Sequence, residues 1–205
     1  MAKKTEATSV TIPAIDIKTF ALKLVSDSPL IVHAWSEKAK RAMLEKQMKK
    51  ASAGKAAKDP FRDYCESLYW ITDKPENPTP EDVQNARFGF PAIAFKSAAV
   101  SGGYRGGVTA NKTISRGAFH VMGELIEIEG TPTMREDMVK IAMGTADLRY
   151  RGEFKTWAAE LQIRYNAGAM SMEQIINLFN VGGFACGIGE WRPERDGQNG
   201  MFHVV

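Results

Sequence analysis

The chain has 205 residues and carries 27 Lys+Arg against 24 Asp+Glu, a formal charge of +3. That length fits one large domain or two small ones, and a hydrophobic fraction of 44% is enough for a real core. The mild charge permits a local basic groove without demanding a nucleic-acid partner, and no stretch approaches the roughly 20 apolar residues of a membrane span.

Cys65 and Cys186 form no CxxC pair, and His33, His120 and His203 stand singly. No structural zinc, other metal or cofactor is therefore expected. Two free thiols fit a reducing cytoplasm. The polar start of the chain leads into no apolar run of the secretory type.

Residues 1–10 are polar and read as a flexible N-terminus. Two β-rich runs follow, Ile15–Val25 and Pro29–His33, with a turn at Asp27-Ser-Pro29. Ser36 can cap a helix through about Ser52, supported by the pairs Glu37/Arg41 and Glu45/Lys49. The polar face of that helix is basic, with Lys38, Lys40, Arg41, Lys46, Lys49 and Lys50, and Ala51–Lys58 continues it as a small, basic, mobile segment. Such a face is either solvated or a phosphate-contacting arm. Phe61–Thr72 reads as a helical turn and then a strand, and the prolines of Asp73–Pro80 make a loop.

Pro91 at a first helical position and Gly102 just past the end predict a helix between them. Phe95, Ala98 and Ala99 lie at helical spacing, with Lys96 beside them. Gly102–Lys112 is glycine-rich and basic, and is expected to be mobile. Ile126 and Ile128 alternate with Glu127 and Glu129 as in a half-buried strand, and Thr131-Pro-Thr133 marks a break.

In Asp147–Phe154 the side chains of Asp147, Arg149, Arg151 and Glu153 share one strand face. Trp157, Ala159, Leu161, Ile163 and Tyr165 form an apolar face opposite Glu160, Gln162 and Arg164. Ser171 opens a capping box with Gln174. Met172, Ile175, Ile176 and Phe179 form the stripe of the helix that follows, and Gly182 is a natural terminator. A glycine-rich loop then leads to a closing apolar strand. The layout is α+β, with helices on one face of antiparallel sheet.

Trp191-Arg192-Pro-Glu194-Arg195 is the sharpest local candidate for binding. Arg192 and Arg195 suit phosphates and Trp191 suits a base; alternatively Trp191 anchors the loop and the arginines pair with Glu190 and Glu194. Arg149 and Arg151 either line a groove or form a salt ladder with Asp147 and Glu153. Arg105, Lys112 and Arg116 flank the central glycine-rich segment, where a basic loop could fold over a strand. No GxSxG, Walker or HExxH signature is present.

Three segments carry a resemblance. Phe90–Val100 resembles the helix start of the RAMP superfamily, the repeat-associated RNA-binding proteins of CRISPR systems. The loop Gly182–Gly200 before the last strand is similar to one those proteins carry. The stretch from Asp147, with D-L-R-x-R-x-E-F…W and G-I-G-E-W-R-P…G-x-F, resembles a set of uncharacterised phage and prophage proteins. The resemblance implies a ferredoxin-like, RRM-type (RAMP-like) core, nucleic-acid binding, and a homo-oligomer or filament along the strand. In RAMP-type endoribonucleases a histidine near the first helix acts in catalysis, a role that would fall to His33.

The resulting expectation is a non-catalytic, phage-encoded protein of the host cytoplasm, away from membranes. It would be a single domain over 11–205, or two ferredoxin-like halves at about 11–130 and 131–205. It would bind single-stranded DNA or RNA through backbone charge and base stacking. The alternatives are a phage structural or interaction protein, and a metal-independent endoribonuclease.

Overall fold

The computed structural model describes residues 14–49, 57–140 and 146–205. The N-terminal ten residues, Lys50 and residues 51–56 of the basic segment lie outside the described residues.

Strands β1 (Ile17–Ser26) and β2 (Leu30–Val32) come first, then helices α1 (Glu37–Gln47) and α2 (Pro60–Ser67). Strand β3 (Tyr69–Trp70), helix α3 (Pro80–Asn85), strand β4 (Phe88–Pro91) and helices α4 (Ala92–Arg105) and α5 (Lys112–Ala118) follow. Next are β5 (Phe119–Val121), β6 (Leu125–Glu127), β7 (Pro132–Lys140), β8 (Ala146–Phe154) and β9 (Ala158–Asn166). The chain closes with α6 (Met172–Ala185), a short 3-10 turn at Pro193–Arg195 and β10 (Phe202–Val204). The class is α+β with antiparallel sheets.

The largest sheet has the order β10-β1-β9-β5. Counted along the chain, its four strands lie in the order 4-1-3-2, and every neighbouring pair is antiparallel. Helix α4 lies between its first and second strands in sequence, and α6 between its third and fourth. The sheet takes two strands from each side of residue 130, so a division there would cut through it. Two three-stranded sheets, β2-β8-β7 and β3-β4-β6, flank it.

One face of this sheet is the core. Leu22, Leu24, Ala159, Leu161, Ile163 and Phe119 are buried there with Phe95 of α4 and Ile175, Leu178 and Phe179 of α6. The alternation read in β9 is therefore the pleat of a strand with one buried face.

Several expected boundaries shift. Ser36 caps α1, its hydroxyl accepting from the Ala39 N–H, but the helix ends at Gln47 rather than near Ser52, and Lys49 turns left-handed at φ 55°. Ser171 and Gln174 form the expected capping box. In the stripe of α6, however, Leu178 is buried where Met172 was expected.

Gly102 and Gly182 do not end their helices. Each helix continues three residues further, to Arg105 and Ala185, because the two glycines are the points where α4 and α6 cross. A Cβ on Gly102 would stand 2.5 Å from the Gly182 Cα. The segment expected to be a mobile loop thus begins as a packed helix end, with Gly102 and Gly103 buried. The break expected at Thr131–Thr133 is instead the start of β7, which pairs with β8 from Pro132↔Phe154 to Lys140↔Ala146.

Candidate nucleic-acid interface

The thirteen residues expected to bind nucleic acid fall into four places. On α1, Lys40 is held by Glu37 at 2.6 Å, while Arg41 and Lys49 are exposed. Lys50 lies outside the described residues.

On the β7–β8 hairpin the arginines form a salt ladder. Arg149 stands 3.6 Å from Asp147, which also accepts from Lys58. Arg151 is buried and donates to Asp137 at 3.1 Å. Arg135 bridges Asp137 and Glu153 at 2.8 and 2.7 Å. A buried guanidinium needs such a partner, because desolvation without one costs several kcal/mol.

The C-terminal loop is stitched by its own backbone. The Ile188 N–H donates to the Gly200 carbonyl at 2.9 Å and the Asn199 N–H to the Trp191 carbonyl at 3.0 Å. Gly197 packs on the Trp191 main chain so closely that a Cβ there would overlap it. This holds Trp191 at φ 54°, with its side chain half exposed. Arg192 donates to Glu194 at 3.0 and 3.2 Å and to the Gly189 carbonyl at 3.0 Å. Arg105, from the end of α4, reaches the same carboxylate at 3.2 Å. Arg195 is exposed.

Beside this loop a cleft of about 210 Å³ is lined by His33, Tyr69, Phe90, Ser97, Glu190 and Arg192, among others. His33 Nδ1 lies 3.6 Å from the Glu190 carboxylate. The imidazole holds that carboxyl below its usual range, with Arg151 and Arg192 acting the same way against burial. No partner for His33 is legible from its neighbours in the chain, because Glu190 arrives from the far end of it. An imidazole set by a carboxylate can move a proton. The thiols are poorly suited to nucleophilic work, since burial pushes Cys65 up to about 11 and raises Cys186.

The fourth place is the end of the four-stranded sheet at β5. Its outward face carries Thr19, Ala21 and Lys23 of β1, Glu160, Gln162 and Arg164 of β9, and His120 of β5. Phe20 and Tyr165 turn the other way and meet edge-on at 5.4 Å. Toward β10 the charges on this face are offset. Lys23 stands 3.6 Å from Glu129, and His203 lies 2.7 Å from Asp27.

At β5 they are not offset. His120 lies directly across from Arg164 in the strand register. Lys96 passes the ring of Phe119 at 5.7 Å and reaches beyond the edge strand. Its Nζ donates to the Arg116 carbonyl at 2.8 Å and stands 3.2 Å from His120 Nδ1. Among the described residues Lys96, Arg116 and Arg164 make no ion pair. Lys112 lies over the Tyr104 ring at 5.2 Å.

The electrostatics record this crowding of like charge. Burial lowers the Lys96 pKa and Arg116 lowers it further. Burial likewise lowers His120, and Lys96 and Arg164 add to the effect. An ammonium can only donate, so the Nδ1 facing Lys96 is an acceptor and the neutral ring carries its proton on Nε2.

The sign of the pH dependence follows. With its pKa depressed in the fold, His120 is protonated first in the unfolded chain as pH falls below about 6.5. Its contribution to stability is complete above that pH and is lost as pH falls toward the folded value. A bound anion reverses the preference, because it favours the charged ring. Affinity for a single-stranded oligonucleotide should therefore rise by roughly fivefold between about pH 7.5 and 5.5, the size of one added hydrogen bond of about 1 kcal/mol. Fluorescence anisotropy checks this, and His120→Gln should flatten the profile.

Lys96 and Arg116 were expected from the sequence. His120 and Arg164 were missed as site residues, since only the strand register brings them together. No protein-family model matches the chain, and no curated protein matches it.

Proposed function

We propose that this is a phage-encoded protein that binds single-stranded nucleic acid without catalysis. One observation carries the reading: Lys96, Arg116 and Arg164 lie with His120 at one end of an open sheet face, and among the described residues no carboxylate pairs with them. Three cations crowded around a histidine whose charged form they disfavour raise each other's energy, and a phosphate backbone is the partner that relieves it. The strand order 4-1-3-2, with α4 and α6 in the two crossings, supports a ferredoxin-like, RRM-type core, and with it the RAMP-like resemblance.

Because the cluster holds charges and the sheet face around it holds no aromatic side chain among the described residues, binding is dominated by the backbone. Affinity should then depend on salt more than on sequence. Three neutralised phosphates give a single-strand slope of about −2, a loss of roughly 20-fold between 50 and 200 mM salt. Salt-insensitive binding, or none, to labelled DNA and RNA strands would sink the reading. The filament expectation is tested by the same titration, since assembly along a strand makes binding cooperative with strand length.

A second reading, metal-independent RNA cleavage, has the pairing of His33 with Glu190 in its favour. The expected result is that purified protein leaves an RNA strand intact over hours. Cleavage that disappears in His33→Ala would reverse that conclusion.

A further inference from the structure

Next to the basic cluster lies a cavity of about 530 Å³. Its lining includes Ile15, Ile17 and Met122 together with His120 and Arg164. That size is within the range of about 300–1,000 Å³ typical of small-ligand clefts. Three of its apolar side chains are left open to water, Ile15, Ile17 and Met122, at 68, 46 and 42% exposure. Asp16, between the two isoleucines, is taken up by Lys18 at 3.3 Å, so it places no free acid opposite the cations.

An apolar recess beside cations that make no ion pair among the described residues fits a ligand of two parts, an anion joined to a flat apolar body. A nucleotide in an unpaired strand has that form, because its base is free of a partner and lies within one sugar of its phosphate. A duplex would hold its bases stacked inside and away from the recess.

We infer that the cavity seats one unpaired base of the bound strand, while the adjoining phosphate is held by Lys96, Arg116, His120 and Arg164. This rests on the nucleic-acid reading above and adds to it that the protein contacts a base as well as the backbone. Sequence preference stays weak, because the apolar side chains that line the recess cannot read a base edge by hydrogen bonding. Among the described lining residues on the outward face, only His120, Arg164 and Asn166 carry polar side-chain groups that could meet a base edge.

The test uses the full chain and two labelled strands of about twelve units, one of thymidine nucleotides and one of abasic sugar-phosphate, which match in charge and differ only in bases. Thymidine should bind roughly tenfold more tightly than the abasic strand, about 1.4 kcal/mol. Ile17→Ala and Met122→Ala change exposed side chains, and each should narrow that ratio toward one while leaving the salt slope in place. Equal, salt-sensitive binding of both strands by the unaltered protein overturns the base pocket and leaves the backbone reading standing. A ratio that persists unchanged in both variants also overturns it, by placing the base contact elsewhere. Failure to bind either strand removes the nucleic-acid reading itself.

Discussion

Gly182→Ala should lower the stability of the protein, although helix propensity alone predicts the opposite. Alanine in place of glycine inside a helix gains up to about 1 kcal/mol. At this position, however, a Cβ would stand 2.7 Å from the Ala98 carbonyl oxygen and from the Ala99 backbone. Backbone cannot rotate out of the way, so α4 and α6 must separate. Their contact holds Phe95, Ile175, Leu178 and Phe179 against the four-stranded sheet. Overpacking costs typically about 1–3 kcal/mol when side chains can adjust. Here they cannot, and a net loss of about 2–3 kcal/mol is expected, roughly 5–10 °C in the melting temperature of a chain this size. Gly117→Ala is the matched control. It also lies within a helix, and nothing stands within 4 Å of its Cβ, so it should be neutral or stabilising by up to about 1 kcal/mol. Thermal melts followed by circular dichroism compare the two. Equal behaviour would mean that the helix crossing is looser than the 2.5 Å approach at Gly102 implies.

The same glycines show where sequence reading succeeds and where it stops. Read locally, Gly102 and Gly182 look like terminators, because a helix commonly ends on glycine. Their purpose is a contact between residues far apart in sequence, which no local pattern encodes. Strand β9 was legible because its apolar residues face the core and its polar residues face out. Strand β7 was not, because its pattern runs the other way. Met134 and Met138 are exposed, while Arg135 and Asp137 are partly buried in the ladder with Glu153 and Arg151. Hydrophobic alternation carries no signal for a strand that buries its charges. The capping boxes are local by nature. That at Ser171 was read correctly, and that of Thr79 with Asp82 opens a helix, α3, that the neighbouring prolines masked.

The candidate site divides along the same line. Basic residues are visible in a sequence, but whether each has an acid beside it is not. For Arg192 the sequence leaves phosphate binding and pairing with Glu190 or Glu194 both open, and the structure pairs it with Glu194, which Arg105 reaches as well. Arg151 is open in the sequence between a groove and a salt ladder with Asp147 and Glu153, and it is buried in a ladder whose partner is Asp137. Lys96 and Arg116 drew less notice, and the register of β5 on β9 adds His120 and Arg164 to them.

Replacing both Arg116 and Arg164 by alanine should weaken single-strand binding by roughly 100-fold, since a hydrogen bond to a charged group contributes about 1.5–3 kcal/mol and part of the loss is recovered by water. Both residues are exposed, so the fold should tolerate the change. The salt slope should drop with the affinity, from about −2 to about −0.7, because one neutralising cation, Lys96, remains. Removing Arg105 and Arg192 together provides the contrast. Those two are already neutralised in part by Glu194, so their loss should change affinity by less than about threefold, near the modest net worth of an exposed ion pair. Arg195 is exposed on the same loop, and Arg195→Ala separates it from its neighbour. If the loop pair proves costly and the β5 pair silent, the strand runs across the C-terminal loop and the basic end of the sheet is a solvated edge. If the β5 pair is costly and the slope falls with it, the phosphate contacts lie where like charges have been brought together without an acid. The distinction between the two outcomes is therefore local neutralisation, a property set by tertiary contacts and not by the number of arginines in a segment.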